Sequence, residues 1–313
     1  MDAFVSLLLL QGGYNSALVM IGAALLGAGG GVIGSFSLMR RRALISDAIS
    51  HATLPGVALG FLVALALTGS GRSLPILILG ALTTGALGVL AVQWIKTYTR
   101  LAEDTAIGTI LSVFFAVGIV LLSYLQGLDV GGRAGLQGFL LGSVATMNRE
   151  ESMLIAGAAS LVVLVCIAFY KEFALVCFDP DFAASTGYSV ARVDLLIMSL
   201  LLVLVAIGLK TVGLILIIAL LIIPPATARF WTNSLSWMVG LSGVIGLVSC
   251  YVGAALSALA PDLPTGAVIV LVQGALFGIS LLFAPRRGVI ASIINLAADR
   301  RAWSQGRGPE APL

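Results

Sequence analysis

The only histidine of the chain, His51, stands four residues after Asp47 in the stretch Ser46-Asp47-Ala48-Ile49-Ser50-His51-Ala52-Thr53-Leu54-Pro55-Gly56. On a helix, side chains four apart share one face. An imidazole nitrogen beside a carboxylate oxygen suits Mn²⁺, Fe²⁺ or Zn²⁺. Two donors from one helix fall short of the four or more that tight binding needs. The pair therefore fits brief, reversible holding, with a second subunit supplying the remaining donors. Ser50 lies near the same face. The same spacing also allows a plainer job, in which Asp47 caps a helix and His51 satisfies a buried carbonyl. Pro55 has no amide hydrogen to give the carbonyl of residue 51, which leaves that oxygen free to face a cavity or marks a packing kink.

Other polar residues carry weaker signals. Glu103, Asp104 and Thr105 precede an apolar run, where carboxylates favour a helix N-terminus; a role in a pathway or a subunit contact is the alternative. Pro224-Pro225 is expected to force a break or bend. Pro261-Asp262-Leu263-Pro264 reads as a stiff turn. Cys166, Cys177 and Cys250 are far apart in the sequence and form no Cys-x-x-Cys pair. Cys166 and Cys250 sit in apolar runs as small packing residues.

The elements that must position these groups are apolar. Hydrophobic residues make up 59% of the 313 residues, charged residues 10%, and mean hydropathy is +1.11. Soluble domains carry about 25% charged residues, and so charge-poor a chain in water would expose large aggregating patches. This excludes a soluble enzyme. A spanning helix needs about 20 apolar residues. Nine spans are predicted, roughly 15–39, 48–68, 74–95, 105–125, 151–170, 193–209, 211–229, 236–258 and 265–284. Only Lys210 and Thr211 separate the sixth from the seventh, so eight spans with one broken or re-entrant helix is the alternative. The fold class is an all-α, polytopic transmembrane helical bundle.

Orientation follows from the basic residues. With the N-terminus outside, the inner face receives Arg40, Arg41, Arg42, Lys96, Arg100, Lys171, Arg192, Arg229 and the basic residues of the tail. Only Arg72, Arg133, Arg149 and Lys210 fall outside. The positive-inside rule favours this arrangement. The basic residues punctuate apolar runs and form no nucleic-acid surface. The start of the chain has an acid at Asp2 and no basic region, so no cleavable leader is expected.

Two stretches are not simple spans. Residues 134–147 are apolar but too short to cross, and are expected to be re-entrant or interfacial, with broken backbone buried in protein. Residues 171–192 form the longest polar segment between spans, on the cytoplasmic side. Asp179 suits an N-cap and Pro180 a first helical position, which predicts a short helix from Pro180 to about Thr186 closed by Gly187. The membrane domain covers 1–290, with the 171–192 segment inside it, and residues 291–313 form a short cytoplasmic tail. No G-x-x-x-x-G-K-[ST] loop occurs, so any nucleotide must bind elsewhere. The Gly-rich GAGGGVIG at 27–34 lies within a membrane run and is no cofactor loop.

Five stretches in fixed order carry a family resemblance: DAISHATLPGVALGF at 47–61, EDTAIGTILSVFFAVGIVLLS at 103–123, KEFALVCFDPDFAASTG at 171–187, VGLILIIALLIIPPATA at 212–228, and DLPTGAVIVLVQGALFGISLLFAPRRG at 262–288. They resemble the permease subunits of ABC-type manganese, zinc and iron importers over about residues 15–290. The resemblance implies a multi-pass permease of the bacterial inner membrane that makes or breaks no covalent bond and holds no permanent cofactor. It implies paired permeases, two cytoplasmic ATPase subunits that bind ATP, and an extracytoplasmic metal-binding protein. It also implies that Asp47 and His51 meet the metal, with manganese preferred over zinc and iron. Phe178, Asp179, Pro180, Asp181, Phe182 and Gly187 then match the region that docks on the ATPase. The competing class is a secondary metal or small-solute carrier working without ATP; such carriers often show internal repeats, and none is evident between the halves.

Overall fold

Lipid cannot hydrogen-bond a backbone, so each apolar run must close its own hydrogen bonds as a helix. The computed structural model describes Ser6, Leu9 and residues 13–40, 42–69, 73–127, 147–259, 263–285 and 288–291. These contain α1 (Tyr14–Met39), α2 (Ala43–Thr68), α3 (Leu74–Tyr98), α4 (Glu103–Gly127), α5 (Arg149–Ala168), α6 (Tyr170–Phe178), α7 (Pro180–Ser185), α8 (Val190–Trp231), α9 (Leu235–Ser257) and α10 (Thr265–Phe283). Among the described residues, nine helical segments are long and apolar enough to cross a membrane, α8 supplying two of them, Val190–Leu209 and Val212–Trp231. Residues 134–146, Asp262 and the tail from residue 292 lie outside the described residues.

α8 decides between eight spans and nine. A straight helix of its 42 residues would run for about 63 Å, roughly twice the hydrocarbon thickness of about 30 Å. Yet both of its ends meet the C-terminal end of α1. Asp194, near the start, accepts from Arg40 Nε and Nη2 at 2.9 Å. Arg229, near the end, lies 3.1 Å from Met39 Sδ through Nη1. The two limbs are therefore antiparallel. The chain turns back at Gly213, whose φ of 79° and ψ of 167° are the non-helical angles inside the element. That region is essentially reserved for glycine.

Of the break or bend expected at Pro224-Pro225, the break is absent: α8 stays helical through both prolines. Neighbouring helices hold the segment, with Leu220, Leu221 and Ala228 buried around it. The carbonyls that the two prolines leave without an amide donor are those of Leu220 and Leu221; one turn on, Thr227 Oγ1 donates to the Ile223 carbonyl at 2.7 Å.

α1 forms the centre of the bundle, packing chiefly against α9, α8 and α5. Close approach to α9 needs a missing side chain: a Cβ at Gly31 would strike the Ser242 carbonyl oxygen. Ser242 Oγ instead donates to the Gly31 carbonyl at 2.7 Å. α2 packs against α3, α4 and the first limb of α8. Cys166 and Cys250 are buried packing residues, as expected. Arg40, Arg42, Lys96 and Arg229 gather at one end of the bundle, through contacts with Asp194, Glu103, α6 and Met39. Exposed Trp94, Tyr98, Trp231 and Trp237 ring that end, and Tyr14 and Tyr124 the other, as aromatic residues do at membrane interfaces.

Candidate metal-transfer site

α2 begins at Ala43 with Arg42 as its N-cap. Asp47 therefore sits one turn inside the helix and does not cap it. His51 Nε2 lies 3.2 Å from Asp47 Oδ1, with side-chain exposures of 15% and 30% respectively. His51 Nδ1 is buried with no hydrogen-bonding partner. Neither half of the plainer reading is met: Asp47 caps nothing, and the second ring nitrogen satisfies no carbonyl. Phe115 of α4 meets the imidazole edge-on, with ring centroids 4.7 Å apart. α2 and α4 are the two walls of the site.

Ser50 does not join the pair. It is fully buried, and its Oγ donates to the Ser46 carbonyl at 2.7 Å. The helix continues through Pro55. Among the described residues, no three His, Cys, Asp or Glu side chains come together as a metal-holding group. This chain thus brings two donors to one half-open face. A metal ion bound between them would replace the contact they make with each other.

The polar segment after α5 folds as its residues dictate. Asp179 Oδ1 accepts from the Phe182 amide at 2.9 Å, and Pro180 takes the first position of α7. Gly187, at φ 92°, ends the turn, its amide donating to the Ala184 carbonyl at 3.1 Å and that of Tyr188 to the Ala183 carbonyl at 3.0 Å. This is the left-handed helix stop that glycine favours. Ala183 is buried, while Asp181 is exposed and Phe178 and Phe182 are 62% and 54% exposed. α6 anchors the segment through buried Phe173, which packs edge-on against Phe36 at 5.2 Å. A cavity of about 630 Å³ opens beside Phe178, lined also by Met39, Cys177, Arg229 and Phe277. Burial pushes the Cys177 thiol up to about 12, against the opposing pull of Arg40 and Arg42.

Sequence reasoning missed Asp194. Only 2% exposed, it pairs with Arg40 and Arg42, each through Nη2 at 2.9 Å. Arg42 also pairs with Glu103, whose second oxygen lies 3.0 Å from Lys96 Nζ. Glu103 and Asp104 do occupy the first turn of α4, as expected. The signal for the cluster was a carboxylate inside an apolar run, at the same predicted depth as the Arg40–Arg42 run.

The sequence match to the ABC 3 transport family covers residues 15–284. The manganese transport system membrane protein MntC of Bacillus subtilis (strain 168) is 43% identical over 291 residues, which is 93% of this chain and 66% of that longer protein. The zinc transport system membrane protein TroC of Treponema pallidum (strain Nichols) is 39% identical over 88% of this chain and 91% of its own length. The solved structure of PsaBC from Streptococcus pneumoniae in complex with Fab superimposes with a TM-score of 0.77 at 31% identity, over 92% of this chain and 97% of that one. With nine membrane-length helical segments among the described residues, the chain belongs to the ABC 3 transport family, whose members are membrane permease subunits of ABC-type divalent-metal importers.

Proposed function

We propose that this chain is the permease through which an ATP-driven importer passes divalent transition-metal ions inward, manganese foremost, with zinc and iron next. The observation that carries the reading is the Asp47–His51 pair: two donors 3.2 Å apart on one half-open helix face, inside a membrane-length apolar helix. Ionisable groups within a span mark ion paths. A pair of carboxylates, one from each of two permease subunits, offsets the charge of a divalent ion that has shed water. The second subunit completes the donor set, and an extracytoplasmic metal-binding protein delivers the ion to the outer face. The relatives support the metal cargo, since they are named for manganese and zinc transport. One histidine per chain and no nearby thiolate lean toward the harder ion.

The exposed α7 segment is the contact to the cytoplasmic ATPase. Phe178 and Phe182 are aromatic anchors of the kind that dominate binding interfaces, held on a helix that Asp179, Pro180 and Gly187 fix at both ends, with Asp181 on its open side.

The test is uptake of labelled Mn²⁺ by cells carrying Asp47→Ala or His51→Ala at wild-type membrane abundance. Each change removes one donor from every copy and is expected to reduce uptake at least tenfold; full uptake by both variants sinks the ligand assignment. Competition among Mn²⁺, Zn²⁺ and Fe²⁺ in vesicles holding the assembled transporter ranks the metals. Loss of ATPase co-purification on changing Asp179 and Phe182 together checks the docking segment.

A further inference from the structure

Both walls of the candidate site hang from one buried charge cluster, and that cluster also grips the segment proposed to meet the ATPase. Arg40 donates through Nη1 to the Val176 carbonyl at 2.8 Å, and through Nε and Nη2 to the two oxygens of Asp194 at 2.9 Å. Val176 lies three residues before Asp179, the cap of α7. Arg42, the residue that starts α2, shares Asp194 and pairs with Glu103. Glu103 is the first residue of α4, and Lys96 ties it to α3. α2 carries Asp47 and His51, and α4 carries Phe115, whose ring touches His51. One network therefore joins α6, α8, α2, α4 and α3 at the cytoplasmic end.

We infer that Asp194 is a positioning residue for transport: the hub through which movement of α7 is delivered to α2 and α4, and so to the spacing of Asp47, His51 and Phe115. The inference rests on the reading of the chain as an ATP-driven metal permease. Its physical basis is the geometry of the guanidinium. A bidentate Arg–carboxylate pair fixes direction as well as distance, and Arg40 turns its third nitrogen, Nη1, to the Val176 carbonyl of α6. A displacement of α6 cannot leave Arg40 in place without breaking a charge-assisted bond. From Arg42 to Asp47 is five residues of helix, about 7.5 Å, so α2 transmits the shift as a short rigid rod. Stability alone is a poor reason to keep such a cluster. Buried ion pairs contribute little net stability, because desolvation of the ions offsets their attraction, and their best-attested use is to fix one arrangement over others.

The experiment uses the assembled transporter in lipid nanodiscs and vesicles, with hydrolysis and Mn²⁺ uptake measured on the same preparations and normalised to assembled complex. Asp194→Asn removes the hub charge with little change of shape. It is expected to leave ATP hydrolysis within twofold of wild type and to cut Mn²⁺ moved per ATP at least tenfold, while Asp194→Glu recovers half or more of the coupling. Arg42→Gln keeps the Arg40–Asp194 pair and cuts the link to α2 and α4; it is expected to uncouple in the same way, and it decides the matter if Asp194→Asn does not assemble. Wild-type uptake per ATP in an assembled variant, or equal proportional loss of hydrolysis and uptake, overturns the proposal. Failure of the permease reading shows separately, as a wild-type complex that moves no metal with ATP.

Discussion

Replacing Gly213 with alanine tests the hairpin that splits α8 into two membrane-length limbs. At φ 79° and ψ 167°, a Cβ meets the strain that confines this region to glycine, and strain of this kind costs about 1–3 kcal/mol. At about 1.4 kcal/mol per factor of ten, the unfolding equilibrium should shift by about 5- to 150-fold toward the unfolded state. The control is Gly240→Ala. Gly240 lies in α9 with nothing within 4 Å of an added Cβ, so alanine there should be neutral or stabilising by up to about 1 kcal/mol. The assay is unfolding of the purified protein in mixed micelles by increasing denaturing detergent, followed by tryptophan fluorescence. A second readout addresses direction. Single cysteines at Ser189 and Ser234, which flank α8, should both label from the cytoplasmic side in a cysteine-free background. A Gly213→Ala protein as stable as the parent, or labelling of the two positions from opposite sides, refutes the turn.

Three further outcomes are expected. With its thiol pushed up to about 12 by burial, Cys177 stays protonated where an ordinary thiol begins to ionise, so at pH 8 its alkylation in the native protein should be much slower than that of an exposed cysteine. The sign for stability follows: between about pH 9 and 12 the unfolded thiol ionises and the native one does not, so this group's contribution falls as pH rises, readable in the pH dependence of unfolding against Cys177→Ser. Asn148 Oδ1 accepts from the Glu151 amide at 2.9 Å while Glu151 Oε2 accepts from the Asn148 amide at 3.3 Å; Asn148→Ala should cost about 1 kcal/mol of stability, measured by the same unfolding assay, without changing metal specificity.

The parts of the fold that rest on local chemistry were legible. Apolar runs of about 20 residues marked the spans, since a run of that length crosses lipid as a helix. Asp179, Pro180 and Gly187 marked α7 because a cap, a fixed φ and a left-handed stop act over a few residues. The Asp47–His51 pair was legible because four residues on a helix make a face. What depends on distant partners was not. The consequence of Pro224-Pro225 is set by the helices packed around α8, and Gly213 acts through a positive φ that no neighbour in the sequence announces. Ser50 stood on the expected face by spacing, yet its hydroxyl had a nearer acceptor in the Ser46 carbonyl. Asp194 reads as a stray acid in an apolar run until folding sets it against Arg40 and Arg42, more than 150 residues away in the chain.

The incompleteness of the site is itself a mechanism on the proposed reading. Affinity order favours zinc over manganese at most nitrogen and oxygen sites, so a complete cage within one chain would retain the tighter metal and stall. Two donors per chain hold an ion only while two chains face each other. Parting the chains halves the donor count with no rearrangement inside either α2, and the ion regains water as it leaves. Such a device needs the donors rigid relative to their helix and the helix movable as a body. Two contacts bear on these conditions: Phe115 packs against the imidazole, and Arg42, at the start of α2, pairs with Asp194 and Glu103 from two other helices.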